Sequence, residues 1–252
     1  MPHELDEVDQ TLQCTSARLF TGRAGLGYRT ATALKLRADH AAARDAVYQF
    51  IDLKRDIGEE RLQRWGLFGV TTQVRSRTEY LMRPDRGRVF DVESQETIKK
   101  ECTNSPTLQI VLGDGLSAAA VIHHGVELLD LLHDKAKDLS WSVGKPFCIR
   151  FCRVGIMSEI GRLLNPELVI LLIGERPGLA HADSLSAYLA YRPQAGHTDA
   201  QRNLISNIHA QGIPTAVAAE RIMELAIRMR EAQYSGVMLK EQAGNKLLSQ
   251  QS

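Results

Sequence analysis

Apolar residues in the second half of the chain fall into two kinds of pattern. Short, almost wholly apolar runs bounded by turn residues predict buried strands at 108–112, 147–152 and 168–173. A period of two predicts a further, half-buried strand at 184–191. Helical periodicity predicts helices at 94–102, at 118–132 with Ser117 as its cap, through 159–164, and from Pro214 to Gly236. Alternating strands and helices predict an α/β fold: a Rossmann-like, mostly parallel sheet with helices on both faces.

The first part of the chain has a different pattern. A helix is predicted from about Thr30 or Thr32, either of which can cap it, and its one face carries Leu34, Ala38, Ala42 and Ala46. Such a small-residue face packs either on its own domain or on a partner. We therefore predict two parts: a smaller, mainly helical, partner-contacting region at 1–92 and the Rossmann-like domain at 93–252.

Composition and charge exclude functions that rest on a strong electrostatic field. The chain has 252 residues, with 31 Lys and Arg against 30 Asp and Glu, so the formal net charge is +1. Basic residues are frequent between 50 and 92, but acidic residues are interleaved with them. Interleaved signs are typical of a salt-bridged surface, whereas a nucleic-acid footprint is a stripe of one sign. We expect neither nucleic-acid nor membrane binding.

Other sequence signals predict an intracellular protein without a metal site. The longest apolar run, at 168–173, is far shorter than the roughly 18–20 residues that span a bilayer, and the acidic N-terminus does not resemble a signal peptide. Cys148 and Cys152 would lie about 13 Å apart on a strand, too far for a disulfide. His123 and His124 are adjacent, and adjacent residues diverge on a helix, so we interpret them as structural histidines.

The strand-end rule selects three candidate ligand-binding loops. In open α/β sheets, ligands bind beyond the carboxyl ends of the strands, where glycines let backbone N–H groups approach them. The loops are Gly113-Asp114-Gly115 with Ser117, Arg153-Val154-Gly155, and Gly174-Glu175-Arg176-Pro177-Gly178. Glu175 follows a wholly apolar strand, so its carboxylate can accept hydrogen bonds from an amide-rich ligand. The alternative is that Glu175 pairs with Arg176 or Arg202.

The common catalytic motifs are missing from this sequence. Gly22-x-x-Gly25-x-Gly27 does not have dinucleotide-binding spacing, Gly113-x-Gly115 lacks a third glycine, and no Gly-Lys-Ser/Thr or Gly-x-Ser-x-Gly segment occurs. No catalytic residue is predicted. The pattern favours a chain that binds something and leaves the chemistry to another subunit.

Several segments resemble one known family, in order, from about Arg18 to Gly236. They are Arg18-Leu-Phe-Thr-Gly-Arg-Ala-Gly25, Ala38-Asp-His-Ala-Ala-Ala-Arg-Asp45, Gln109-Ile-Val-Leu-Gly-Asp-Gly-Leu-Ser117, Leu171-Leu-Ile-Gly-Glu-Arg-Pro-Gly-Leu179 and Arg202-Asn-Leu-Ile-Ser-Asn-Ile208. The chain resembles the small (light) subunits of ethanolamine ammonia-lyase. The Asp-Gly-Leu-Ser and Gly-Glu-Arg-Pro-Gly segments together are the most specific part of this resemblance.

The resemblance implies a subunit of an adenosylcobalamin-dependent lyase that converts ethanolamine to acetaldehyde and ammonia. In that family the larger subunit binds ethanolamine and performs the radical chemistry, and cobalamin lies at the interface between the two subunits. The organic chemistry belongs to the cofactor, and the protein supplies its position and excludes water. The resemblance also implies a cytoplasmic location, and it leaves open whether the chain is packaged in a bacterial microcompartment.

The resemblance further implies three cobalamin-binding residues: Val154 through its backbone, Glu175 through its carboxylate, and Leu204. Leu204 departs from the family pattern, which carries Cys there, so only a backbone or van der Waals contact can transfer. Asp114, Ser117 and Arg153 are additional candidates. The chain lacks the Asp-x-His-x-x-Gly segment of proteins that ligate cobalt through histidine, so we expect cobalt to keep its dimethylbenzimidazole ligand and predict no metal-ligating residue.

Two other functions stay open at this point. A nucleotide-binding enzyme on a Rossmann-like sheet would need tight binding of NAD or ATP. A non-catalytic adaptor or packaging protein would bind a partner or shell protein without contacting cobalamin.

Overall fold

A six-stranded sheet forms the centre of the molecule. The computed structural model describes residues 22–177 and 183–239. The strands of the sheet are β3 (Phe68–Thr71), β4 (Leu108–Gly113), β5 (Phe147–Arg150), β6 (Leu168–Gly174), β7 (Leu185–Tyr191) and β8 (Asn203–Ile208). Their spatial order is β3-β5-β4-β6-β7-β8. Strands β3, β5, β4 and β6 pair in parallel, and β7 is antiparallel to both β6 and β8. The prediction of a mostly parallel α/β sheet is confirmed.

The central strand β6 is buried along its whole length because its two faces line two different cores. Leu168, Ile170 and Leu172 belong to one hydrophobic cluster, and alternate residues such as Val169 and Leu171 belong to the other. Side chains alternate across a strand, so a run without polar residues is what a sheet covered on both faces requires.

Helices cover both faces of the sheet, as the sequence predicted. The helices are α1 (Thr30–Tyr48), α2 (Glu59–Trp65), α3 (Arg77–Met82), α4 (Val92–Glu101), α5 (Ala118–Ala120), α6 (Val126–Asp138), α7 (Ile156–Leu164) and α8 (Thr215–Ala232). Helices α6 and α8 contribute to the first core, and α4 and α7 contribute to the second. None of the helices within the described ranges is long and apolar enough to cross a membrane.

The N-terminal region contains helices but also contributes to the sheet. A two-stranded hairpin, β1 (Arg23–Ala24) and β2 (Gly27–Tyr28), precedes α1, and β3 pairs with β5 as an edge strand. Helix α1 begins at Thr30, as predicted, but the predicted cap is wrong. Its N-cap is Arg29, and no side chain caps the helix.

Some local features of the second half of the chain were not predicted either. Strand β8 forms the other edge of the sheet, and a wide π-helical turn at Val121–Gly125 separates α5 from α6 inside the helix predicted at 118–132. Ser117 does cap this helix, since its hydroxyl accepts a hydrogen bond from the Ala120 N–H at 3.2 Å.

Candidate functional site

An open pocket of about 420 Å³ lies at the carboxyl ends of the central strands. After β4 the chain forms β5 on one side of β4 and then β6 on the other side of β4. The strand order therefore reverses between β4 and β6. Open α/β sheets bind ligands at such a reversal. The pocket extends from there over the face of β7 and β8, and its lining residues are Tyr80, Gly115, Leu116, Cys152, Arg153, Val154, Ile173, Gly174, Glu175, Arg176, Ser186, Tyr188, Leu204 and Ser206.

Two glycines allow the strand-end loops to approach each other this closely. Gly115 has a φ of +53°, and a Cβ there would overlap the Gly174 carbonyl oxygen. A Cβ on Gly174 would overlap the carbonyl oxygen of Ser117. The Leu116 N–H donates to the Gly174 carbonyl at 3.1 Å, which joins the two loops directly. Backbone contact therefore fixes the floor of the pocket.

Glu175 is held by three donors, which lie on β7, on β8 and at the residue directly before β7. Its carboxylate accepts hydrogen bonds from the hydroxyl of Ser184 at 2.9 Å, from the hydroxyl of Ser186, and from the N–H of Asn207 at 3.2 Å. A carboxylate offers about four lone-pair sites, so about one acceptor site is left for a ligand.

The alternative of an ion pair between Glu175 and a neighbouring arginine is not seen. Within residues 22–177 and 183–239 Glu175 makes no ion pair, and Arg202 instead donates to Asp199 at 2.6 Å. The carboxylate of Glu175 is thus oriented by neutral donors and keeps its own negative charge in the pocket.

Arg153 brings a positive charge to the lining of the same pocket. Its guanidinium lies 4.0 Å from the centre of the Tyr80 ring and donates to the Tyr80 carbonyl at 2.8 Å. Tyr80 is itself fixed, since its hydroxyl donates to the Cys152 carbonyl at 2.7 Å. Burial raises the pKa of Tyr80 well above its usual value, so the phenol stays neutral. The pocket is therefore lined by one acidic side chain, Glu175, and by two basic ones, Arg153 and the exposed Arg176.

All three residues that the sequence analysis assigned to the ligand line this one pocket. Val154 is half-buried at the start of α7 and its side chain packs against the second core, which leaves its backbone as the group that can meet a ligand. Leu204 lies on β8 opposite Tyr188, and its side chain is 47% exposed. Val154 and Glu175 come from the loops after β5 and β6, and Leu204 comes from β8, so only the fold brings them together.

Two of the additional candidates do not reach the pocket. Asp114 is 2% exposed; it accepts from the Cys152 N–H at 3.0 Å and lies 3.9 Å from the Arg77 guanidinium. Burial raises the pKa of Asp114, although the Cys152 N–H and Arg77 oppose this. Ser117 is wholly buried as a helix cap. Both residues stabilise the loops from beneath, and Arg153 is the one additional candidate that lines the pocket.

The sequence analysis missed the polar residues on β7. The prediction of this strand used only its apolar half, Leu185, Ala187, Leu189 and Tyr191, of which the first three are buried in the first core and Tyr191 packs against it. The other half consists of Ser184, Ser186 and Tyr188, which share the opposite face. Ser186 and Tyr188 line the pocket, so the signal was present in the same period of two.

The adjacent histidines lie in the π-helical turn, and the prediction that they diverge is wrong. The Nδ1 of His123 and the Nε2 of His124 each lie 3.2 Å from the same oxygen, Oδ2 of Asp183. None of these three residues lines the pocket around Glu175.

Comparison with known proteins gives one consistent result. The family model described as ethanolamine ammonia-lyase light chain matches residues 5–240. The ethanolamine ammonia-lyase small subunit of Clostridium perfringens is 42% identical over 226 residues, which are 90% of this chain and 75% of that protein. The small subunit of Clostridium acetobutylicum is 38% identical over 235 residues, 93% of this chain and 95% of that protein. The protein of the same name from Listeria innocua is 41% identical over 90% of this chain and 76% of its own length.

Proposed function

Because the chain belongs to the family of ethanolamine ammonia-lyase small (light) subunits, we propose that its pocket covers one edge of adenosylcobalamin at the interface with a larger subunit. The name of the relatives, small subunit, already implies a larger partner. In this proposal the larger subunit binds ethanolamine, and the complex converts it to acetaldehyde and ammonia. The chain contributes cofactor binding and no catalytic residue.

The chemistry of the pocket fits a ligand that carries amide groups. Glu175 keeps about one free acceptor site and a negative charge, and it is held rigidly by Ser184, Ser186 and Asn207. The corrin ring of cobalamin carries amide side chains whose N–H groups can donate to that site. A hydrogen bond to a charged acceptor contributes roughly 1.5–3 kcal/mol, which is enough to orient one arm of a large ligand.

The size of the pocket fits an edge of the cofactor rather than the whole of it. Pockets of roughly 300–1,000 Å³ enclose drug-sized ligands, and this pocket of about 420 Å³ lies at the lower end of that range. Cobalamin is larger than a drug-sized molecule, so most of it must be covered by something else. The convergence of Val154, Glu175 and Leu204 on one open pocket too small for the cofactor alone is the observation that carries the proposal.

Each of these residues has a separate role in binding. Val154 offers its backbone, Leu204 supplies an apolar surface, and Glu175 accepts from an amide. When it is bound, the cofactor supplies the radical chemistry. The residues of this chain hold the cofactor edge in position and keep water from that side of the interface.

Replacing Glu175 tests the proposed contact. In the complex reconstituted with a large subunit, we expect Glu175→Gln and Glu175→Ala to weaken cobalamin binding by roughly tenfold or more, because a charge-assisted hydrogen bond is lost. Equilibrium binding of cobalamin measures this directly. Glu96→Ala, which removes an exposed carboxylate on α4 away from the pocket, is the matched control.

Thermal unfolding of the same variants shows whether the chain is still folded. A Glu175→Gln complex that assembles, stays folded and binds cobalamin like the wild type would reject the contact, and would favour an adaptor or packaging role instead. Weaker cobalamin binding in the Glu175 variants, together with unchanged binding in Glu96→Ala, supports the proposal.

A further inference from the structure

A cluster of two histidines and one aspartate lies outside the pocket. Oδ2 of Asp183 is 3.2 Å from Nδ1 of His123 and 3.2 Å from Nε2 of His124. Each residue offers one atom that can bind a metal ion, and these three atoms all lie within 4.8 Å of one another. His124 is largely buried, whereas His123 is exposed.

The π-helical turn explains why two adjacent histidines can share one carboxylate. Adjacent side chains on an α-helix diverge, but a wider turn changes their angular spacing, and such turns are frequent at functional sites. The turn is anchored by buried residues at both ends, Val121 and Val126. Gly125 is packed so closely that a Cβ there would lie 3.2 Å from the Cγ1 of Val121. The histidine geometry is therefore set by the core beneath it.

The donor atoms match a specific class of ion. Imidazole nitrogens together with one carboxylate oxygen suit Zn²⁺, which binds such ligands at about 2.0–2.2 Å in a tetrahedral arrangement. Tetrahedral ligands at that bond length are separated by about 3.3 Å. The two separations from Asp183 to the histidines are 3.2 Å, and the separation between the two ring nitrogens is at most 4.8 Å. We propose that His123, His124 and Asp183 form a zinc-binding site with a fourth position open to water.

An ion at this position would have a structural consequence. Asp183 directly precedes Ser184 and β7, so an ion shared with His123 and His124 would tie the π-helical turn to the start of that strand. Ser184 is in turn a donor to Glu175. Zinc would thus fix the start of β7 next to the pocket. The zinc proposal does not depend on which ligand the pocket binds.

The competing explanation is a hydrogen-bonded cluster without a metal. Burial raises the pKa of Asp183, but the hydrogen bonds from His123 and His124 outweigh it and leave the pKa below its ordinary value. Metal binding and its dependence on all three residues distinguish the two.

Calorimetric titration of the untagged full-length chain with Zn²⁺, after treatment with a chelator, tests the proposal. We expect one tight site in the wild type and affinity at least roughly tenfold lower in His123→Ala, His124→Ala and Asp183→Asn, since loss of even an outer partner of a metal site weakens binding about 10–100-fold. His40→Ala, which removes an exposed histidine on α1, is the control and should bind zinc like the wild type.

A second measurement keeps the result independent of folding defects. Binding of Co²⁺ in place of Zn²⁺ should give the visible absorption of a tetrahedral cobalt centre in the wild type and in His40→Ala, and not in Asp183→Asn. His123 is exposed, so His123→Ala is expected to fold normally. Absence of zinc binding by the wild type, or tight binding that the three variants leave unchanged, would overturn the proposal.

Discussion

Glu175 shows how single side chains prepare this site. Its two carboxylate oxygens are contacted by hydroxyls from the β7 segment and by a backbone N–H from β8, so its orientation is fixed before any ligand arrives. A group that is already oriented loses little conformational freedom when it binds. The hydroxyls of Ser184 and Ser186 are therefore positioning groups, and they act on the ligand through Glu175.

Removing one of these hydroxyls should weaken cofactor binding without abolishing it. For Ser186→Ala in the reconstituted complex we expect about fivefold weaker cobalamin binding, because a hydrogen bond of roughly 1 kcal/mol orients the carboxylate. The apparent affinity should change and the rate at saturating cofactor should not. The control is Ser158→Ala, because the hydroxyl of Ser158 accepts a hydrogen bond from Arg202 and does not contact Glu175. A changed rate at saturation with unchanged affinity would contradict a positioning role.

Among single residues, the sequence alone located much of the site but not the hydrogen-bond donors to Glu175. The strand-end rule found the loops of Val154 and Glu175, whereas Leu204 came only from the family resemblance. The three donors to Glu175 were not predicted, since they depend on the register between β6, β7 and β8. Register is fixed by packing across strands and cannot be read from one strand at a time.

At the scale of elements, the loops after β4 and β6 meet through their backbones, so a side chain at either glycine would separate them. Gly174 is buried, and a Cβ on it would meet the carbonyl oxygen of Ser117, which is part of a helix cap and cannot move freely. The pocket floor and the stability of the sheet therefore depend on the same residue.

Gly174→Ala should lower the free energy of unfolding by about 1–3 kcal/mol, the usual cost of forcing an extra methyl group into a packed site. Chemical denaturation of the chain measures this. Gly27→Ala is the matched control, because the nearest atom to a Cβ there is 3.9 Å away. Equal stability of Gly174→Ala and the wild type would mean that the two loops are not packed as described.

The edges of the sheet were harder to predict than its centre. The wholly buried strands β4 and β6 appear as apolar runs, but β8 has only Ile205 and Ile208 buried, at a spacing of three. A shift of register against β7, between Leu185 and Ala187, breaks the period of two. Strand β3 is a four-residue edge strand within a charged region. Short or irregular strands give too few alternating positions for a pattern to show.

Helix α6 contains a group that should make stability depend on pH. The His133 ring on this helix lies 4.0 Å from the Trp65 ring of α2, and burial lowers the pKa of His133 from its ordinary value of 6.5. The unfolded chain then binds a proton at a pH where the folded chain does not, so stability falls as the pH falls through 6.5.

His133→Phe, which keeps a ring against Trp65, should flatten the loss of unfolding free energy between about pH 7 and pH 5. Urea unfolding at a series of pH values measures the slope. His40→Ala should retain the slope of the wild type, because that histidine is exposed. A slope that is unchanged in His133→Phe would show that other groups cause the pH dependence.

For the whole molecule, near-neutral charge and an open pocket are consistent with a chain that works within a complex. Burial differs between the two ends of the small-residue face of α1: Ala46 is buried, whereas Leu34 is 59% exposed. Leu26 and Tyr28 of the preceding hairpin segment are exposed as well. These exposed apolar residues are consistent with the prediction that the region at 1–92 contacts a partner, which stays a prediction.

Reconstitution of ethanolamine deamination tests whether this chain is a cofactor-binding subunit of the lyase. The chain, a large subunit and adenosylcobalamin are combined, and ammonia release from ethanolamine is measured with all three components and with each one omitted. We predict activity only when all three are present, because in the proposed complex this chain holds one side of the cofactor and the larger subunit binds the substrate. Ammonia release by this chain and cofactor alone, or a full rate without this chain, would contradict it.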